Sequence, residues 1–305
     1  MTHLFLINPA AGKQNRTEIL SGQIRELCEK KGLDYRITIS HAPGDCRRIT
    51  REAAESGEEY RIYACGGDGT LNEVAAGAAG FPNVSITNYA GGSGNDFVKM
   101  FGSPASFQDL EALLDSEEIL LDLIRCNGDF SLNITSVGLD ARIGTEMSAY
   151  KRLPFVSGSL AYILSTVVNL LKGISEHYVV EIEGETIDAK QTMICVCNGQ
   201  FYGGSFHPVP DSDPTDGLLD VLLVRDVSLL KAATIVGQYK AGKYADYPQY
   251  IRHFRTTQLR IHCDRETPIN LDGELRTAKT VDISLATEKL RFFYPKALSR
   301  SKTFV

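Results

Sequence analysis

"YACGGDGTLNEV", residues 63 to 74, joins an apolar run to a helix-like run through three glycines, a carboxylate and a hydroxyl. The segment before it, "YRIYAC", is β-prone, and the segment after it, "LNEVAAGAAG", is rich in alanine. The corner therefore reads as a strand-to-helix connection. The alternation continues on both sides. "HLFLIN" precedes the loop "PAAGKQN" and the helical pattern "RTEILSGQIRELCEKKG", which Gly32 ends. "DYRITIS" alternates as a strand, and "DCRRITREAAESG" reads as a helix terminated by Gly57. Beyond the corner, "VSITNYA" leads into "GGSGNDFVKMFG", and "SFQDLEALLDSE" reads as another helix. Strands and helices at this spacing predict βαβ units and a parallel sheet, with ligands beyond the carboxyl ends of its strands. The glycine corners at 66–69 and 91–94 fall at such ends.

From about Asp122 the texture changes. "LLDLIRCNGDFSLNITSVG" shows short strand-like runs around "NGD", a hairpin signal. Short β segments follow in "HYVVEIEGETIDAK", "QTMICVCNG", "LLDVLLVRDV", "LRIHCD", "TPINLDGEL" and "TVDISLA", interrupted by helical patterns near 157–172 and 228–242. The expected organisation is an α/β domain over 1–125 and a β-rich domain over 126–288. The closing segment 289–305 is expected to return to the first domain.

The chain has 305 residues, 43% hydrophobic and 23% charged, with a formal net charge of −6. That is a folded globular composition, and its sign disfavours nucleic acid as a partner. The N-terminus lacks the basic lead, apolar core and cleavage site of a signal peptide. The apolar stretch from Phe155 to Ile174 contains serines, an asparagine and a lysine and reads as a packed helix. The seven cysteines form no CxxC or Cys/His cluster, so neither a disulfide framework nor a structural zinc is expected. Cys195 and Cys197 face one side of a strand. A reducing, cytoplasmic setting follows as the expectation.

Five motifs carry chemistry. In "GGDGT", Gly66 to Thr70, glycines let backbone N–H groups approach a ligand, and a helix start favours an anion such as phosphate. Asp68 offers a carboxylate suited to Mg²⁺. There is no Walker lysine, and three glycines also serve a plain tight turn. Asn72 and Glu73 follow at the helix start, where a carboxylate is favoured in any case. "NPAAGK", Asn8 to Lys13, is a plain βα loop or a second wall of the same site. "GGSGNDF", Gly91 to Phe97, repeats the glycine-plus-carboxylate recipe, and a helix cap is its bland reading. "PDSDPTDGLLDV", Pro210 to Val221, is an oxygen-rich loop that reads as a turn or a hard-cation site. "NLDGEL", Asn270 to Leu275, reads as a hairpin whose Glu274 is either merely exposed or a general base.

In this order the motifs resemble the soluble bacterial diacylglycerol kinases and their wider lipid kinase family, over nearly the whole chain. "GGDGT" alone is shared with NAD kinases and phosphofructokinases; the five in order are more specific. The resemblance implies a Rossmann-like nucleotide domain followed by a β-sandwich domain, with the active site in the interdomain cleft. It implies that Asn8, Pro9, Ala10, Ala11, Gly12, Lys13, Ser40, Gly66, Gly67, Asp68, Gly69, Thr70, Leu71, Asn72, Glu73, Ser93, Asn95 and Asp96 belong to nucleotide-contacting segments. Asp68, Asp96 and Asp122 match a magnesium and water network around the triphosphate. Asp216, with backbone oxygens near Asp213 and Leu218, matches a separate structural magnesium site. Glu274 matches the proposed catalytic base, and Asp68 is expected to be catalytic with it. Two positions depart from the pattern: Ser93 stands where threonine is common, and Asp213 where lysine is.

The implied reaction is phosphoryl transfer from ATP, with Mg²⁺, to a lipid hydroxyl, diacylglycerol first among the acceptors. An NAD kinase activity and a non-catalytic nucleotide-binding regulatory role are the alternatives. A lipid acceptor implies peripheral contact with the inner membrane face. Lys151, Arg152, Lys240, Lys243, Arg252 and Arg255 are the candidate basic surface, equally readable as a solvated face. Edge strands in the β-rich part are compatible with a homodimer.

Overall fold

The computed structural model describes residues 1–12, 16–150, 173–204 and 206–301. Lys13, Lys151, Arg152 and the helix expected over 157–172 lie outside the described residues. The chain divides into two compact units, one of Met1–Leu123, Phe201–Ser205 and Ala286–Val305, the other of Ile124–Gln200 and Phe206–Leu285.

The first unit is built on β1 (Thr2–Ile7), α1 (Thr17–Lys31), β2 (Tyr35–Ile39), α2 (Asp45–Glu55), β3 (Tyr60–Gly66), α3 (Asp68–Ala78) and β4 (Val84–Ala90). Next come a short α4 (Leu110–Leu114) and β5 (Ser116–Leu121). The helix expected over the "SFQDLEALLDSE" stretch shrinks to α4. Pro104–Gln108 forms a 3-10 turn before it, and the chain turns into strand at Ser116. All of β1 is buried, as a central strand covered on both faces must be. Its sheet runs β2-β1-β3-β4-β15-β5, where β15 is Leu290–Pro295. Every pairing is parallel except that of β15 with β5. Gly66 pairs with Ala90, so the ends of β3 and β4 lie level at one edge. Gly32, with φ of 64°, ends α1 in the left-handed conformation.

The second unit holds β6 (Ile124–Cys126), β7 (Asp129–Ser131), β8 (Ile134–Gly138), α5 (Leu139–Tyr150), β9 (Glu176–Ile182), β10 (Glu185–Cys197) and β11 (Leu219–Arg225). It continues with α6 (Leu229–Lys240), β12 (Ile251–Thr256), β13 (Gln258–Leu271) and β14 (Glu274–Leu285). Its strands run β12-β11-β10-β8-β13-β14-β6-β7, with β9 pairing both β10 and β13. The long β10 and β13 shift register between Gln191 and Met193 and between His262 and Thr267. Before those bulges they flank β9, and after them they flank β8. Bulges let one strand serve two layers. Val137, Ile194, Val196, Val221, Ile261, Ile269 and Val281 fill the core. Tight two-residue turns close the hairpins, each with both residues at positive φ: Asn127–Gly128, Glu183–Gly184 and Asp272–Gly273. Cys195 and Cys197 are buried side by side, with Sγ atoms 3.6 Å apart.

Candidate active site

The corner at Gly66 ends β3, and α3 begins at Asp68 behind an N-cap glycine with no side-chain cap. The first backbone N–H groups of an α-helix lack intrahelical partners, and here no side chain serves them, so they are available to an anion. A Cβ on Gly66 would strike the Thr70 side chain. The glycine is therefore required by close packing as well as by any ligand.

Two more loops close on this corner. Asn8 follows β1; its N–H donates to Cys65 O (3.0 Å) and its Nδ2 to Thr70 Oγ1 (2.9 Å). Asn8 Oδ1 accepts from Ala10 N (3.0 Å), which tightens the turn through Pro9 and Ala11. Gly12 has φ of 79°, and a Cβ there would lie 2.7 Å from Gly91 O. Gly91 N donates to Gly66 O (2.9 Å), and Gly67 packs on Gly92. Asn95 shapes the third loop by accepting from Gly92 N (3.0 Å) and donating to Gly92 O (2.9 Å). Ser93 is exposed at its tip. Ser40 follows β2 at the same edge, its N–H on Ile7 O (2.9 Å) and its hydroxyl on the Cys46 thiol.

Asp68 and Asp96 converge. A Cβ on Gly94 would lie 2.7 Å from Asp68 Oδ2 and 3.4 Å from Asp96 Oδ2. Asp68 Oδ1 accepts from Asp96 N (2.5 Å) and Phe97 N (3.3 Å). Burial first, and then the neighbouring Asp96 charge, push the Asp68 carboxyl above the usual carboxylate range. Asp96 accepts from Lys99 Nζ (2.5 Å) and Gly204 N (2.7 Å). Asp68 Oδ2, at a phosphate-type corner, fits Mg²⁺, which commonly takes one or two protein carboxylates and completes its shell with phosphate oxygens and water. Asp96 would ligate only in competition with Lys99 and Gly204 N–H. Among the described residues no group of three or more His, Cys, Asp or Glu side chains could hold a metal on its own.

Several expected site residues are placed elsewhere. Asp122 follows β5, whose Leu121 pairs with Leu290, while Arg291 pairs with Ser85 near the start of β4. It therefore lies at the opposite edge of the sheet from Gly66, roughly 20 Å away at about 3.3 Å per residue. It is 1% exposed and ion-paired with Lys289. Asp122 does not join Asp68 and Asp96. The Glu73 carboxylate accepts from Gly44 N (2.9 Å) and Cys46 N (3.1 Å), so it caps α2. Leu71 is core, at 1% exposure. Asn72 is buried, and its Oδ1 has no hydrogen-bond partner among the described residues. Gly69 is exposed on the first turn.

In the second unit, Glu274 opens β14 just after the Asp272–Gly273 turn. Its Oε2 accepts from Arg276 Nη2 (2.9 Å), and Arg276 Nε also donates to Asp129 (3.1 Å). The half-buried Asp272 carboxylate holds the hairpin tip by accepting from Leu132 N (2.6 Å), Asn133 N (3.0 Å) and Ile134 N (2.7 Å). The expected metal loop has other partners. Asp213 Oδ1 accepts from Thr215 N (2.9 Å), and Asp216 accepts from Leu218 N (2.9 Å) and Arg255. Sequence reasoning missed Lys99 and the Gly203–Gly204 pair, where Lys99 Nζ also donates to Gly204 O (2.9 Å). The glycines in "GQFYGGS" were the available signal.

Residues 2–126 match the diacylglycerol kinase catalytic domain, and residues 133–294 match the YegS C-terminal NAD kinase beta sandwich-like domain. The chain belongs to the diacylglycerol kinase-type lipid kinase family. A "putative lipid kinase" of Staphylococcus carnosus is 25% identical over 296 residues, covering 95% of this chain and 96% of that protein. Another, from Staphylococcus aureus strain JH9, is 28% identical over 226 residues, 73% of each chain. The fold of this family member is also that of a crystal structure titled "a putative diacylglycerol kinase" from Bacillus anthracis. That likeness has a TM-score of 0.75, 22% identity, and coverage of 97% of this chain and 98% of the other. The family is one of kinases acting on lipids, and its catalytic domain implies ATP as co-substrate.

Proposed function

We propose that this protein transfers the γ-phosphate of ATP to a lipid hydroxyl, with diacylglycerol as acceptor and phosphatidic acid as product. The observation that carries the reading is the convergence of three glycine loops on the Asp68–Asp96 pair at one sheet edge. Amides of the Gly66–Thr70 corner and those of Ser93 and Gly94 bind phosphate oxygens, and the start of α3 adds its dipole. Asp68 and Asp96 would hold Mg²⁺, which when bound offsets phosphate charge. Transfer of this kind depends on positioning and charge neutralisation more than on covalent help. Glu274, oriented by Arg276, takes the proton of the acceptor hydroxyl.

The acceptor lies in a membrane, and α6 supports peripheral contact there. Leu229 is 46%, Leu230 84% and Val236 49% exposed on this helix, which carries lysines and no acid. Of the other candidate cations, Arg252 pairs with Glu185 (2.8 Å), Arg255 with Asp216, and the Lys240 ammonium lies over the Phe206 ring (5.6 Å). Lys243 and the lysines of α6, which face no carboxylate partner among the described residues, are the better lipid-facing choices. The test is an acceptor panel of diacylglycerol, a sphingoid base and NAD with labelled ATP. Label in phosphatidic acid supports the proposal, and label only in NAD replaces it.

A further inference from the structure

We infer that the Pro210–Val221 loop is held by the chain's own arginine, Arg255 occupying the place that a divalent cation would need. The inference rests on the second unit alone and does not depend on which phosphoryl acceptor is used. Four acids, Asp211, Asp213, Asp216 and Asp220, fall within this short stretch. Asp220 is 3% exposed, so it needs an internal counter-charge. The register of β11 and β12 sets Arg255 directly opposite Asp220, and His253 opposite Leu222. Arg255 and His253 are two apart on β12 and share a face. His253 Nε2 lies 2.7 Å from Asp220 Oδ1, and Arg255 Nε lies 3.7 Å from the same atom. The other end of the guanidinium, Nη2, donates to Asp216 Oδ2.

Two of the oxygen groups expected to serve a metal, the Asp216 carboxylate and the Asp213 backbone oxygen, are thereby engaged. Asp216 takes Arg255 on one oxygen and Leu218 N–H on the other. The Asp213 carboxylate takes both the N–H and the hydroxyl of Thr215 (2.9 and 2.7 Å), and its backbone oxygen faces Asp216 N at 3.4 Å. Magnesium demands oxygen ligands at about 2.0–2.1 Å in near-octahedral array, and the guanidinium on Asp216 Oδ2 competes with it for the same carboxylate charge. Arginine's rigid fork bridges two carboxylates without it. The loop is therefore held by Arg255, without need of a structural magnesium, while that arginine is in place.

The test is thermal melting of the full chain, without nucleotide, in EDTA and in Mg²⁺. It compares wild type, Arg255→Met, and Arg255→Met combined with Asp216→Asn. Wild type is expected to melt at one temperature in both solutions. Arg255→Met is expected to melt about 3–6 °C lower in EDTA, the scale set by one lost charged partner in a domain of this size. Mg²⁺ should restore part of that loss, and the double variant should lose the recovery. A second measurement is Mn²⁺ uptake by equilibrium dialysis of wild type against Asp216→Asn; equal uptake is expected. An EDTA-sensitive wild-type melt that Asp216→Asn abolishes would overturn the inference. So would loss of one bound Mn²⁺ in Asp216→Asn, or an Arg255→Met variant that melts as wild type does.

Discussion

Gly12→Ala isolates the claim that separate loops form one phosphate site. Gly12 sits at φ of 79°, and its missing Cβ would lie 2.7 Å from Gly91 O, where ordinary contact begins at 3.4 Å. The left-handed backbone alone costs an alanine roughly 1 kcal/mol. The shortfall of about 0.7 Å cannot be absorbed by a soft side chain, because the obstacle is backbone, so one loop must move. Misplacement on the order of 1 Å is worth up to about 10²-fold in rate, so kcat/KM for ATP should fall roughly 10- to 50-fold. Stability should fall by only about 1–2 kcal/mol, a shift in Tm of about 2–6 °C. Gly32→Ala is the matched control: its φ is 64°, nothing lies within 4 Å of the added Cβ, and it ends α1. It should show the same backbone penalty with ATP affinity and turnover intact. The assays are nucleotide titration and steady-state phosphoryl transfer on both variants. If Gly12→Ala keeps wild-type affinity and turnover, the Asn8–Gly12 loop is no wall of the site.

Further outcomes follow from the same geometry. Asp68→Asn should raise the Mg²⁺ requirement for turnover. Asp122→Asn should leave that requirement unchanged while lowering stability by about 1–3 kcal/mol, because it breaks the pair with Lys289; magnesium titrations and urea curves separate the two. Burial pushes the Asp140 carboxyl from 3.8 up to about 6, and it accepts from Ser136 Oγ (2.6 Å). The folded state therefore binds the extra proton, and stability should decline as pH rises from 3.8 to about 6 and then level off. Asp140→Asn keeps an acceptor for Ala141 N, can donate to the Ser136 hydroxyl and removes that titration, so it should gain on the order of 1–3 kcal/mol at neutral pH and nothing near pH 4. Urea denaturation across that range would expose an unchanged pH slope, which would refute the assignment.

The glycine corners were legible in the sequence because their chemistry is local: a strand end, a helix start and backbone that tolerates no Cβ. The same holds for the Asn127–Gly128 and Asp272–Gly273 turns, where the residue types dictate positive φ. Other residues take their roles from distant partners. Whether Asp122 reaches the corner depends on the direction of β5, fixed by pairing with β15; its ion-pair partner, Lys289, is 167 residues away. Glu73 looked like part of the phosphate corner, yet its carboxylate caps α2, whose own N-cap is a glycine. Arg255 meets Asp216 only because β12 pairs with β11, and Gly204 reaches Asp96 across 108 residues of sequence. No periodicity or motif encodes such contacts.

Transfer of labelled γ-phosphate from ATP to lipids in mixed micelles, with and without Mg²⁺, tests the central claim most directly, with Glu274→Gln alongside. The expected result is label in phosphatidic acid that disappears without Mg²⁺ and drops about 10²–10⁴-fold in Glu274→Gln, while that variant still binds nucleotide. Undiminished transfer by Glu274→Gln would contradict the assignment of the base. Tight ATP binding with no labelled lipid of any class would contradict the lipid kinase reading.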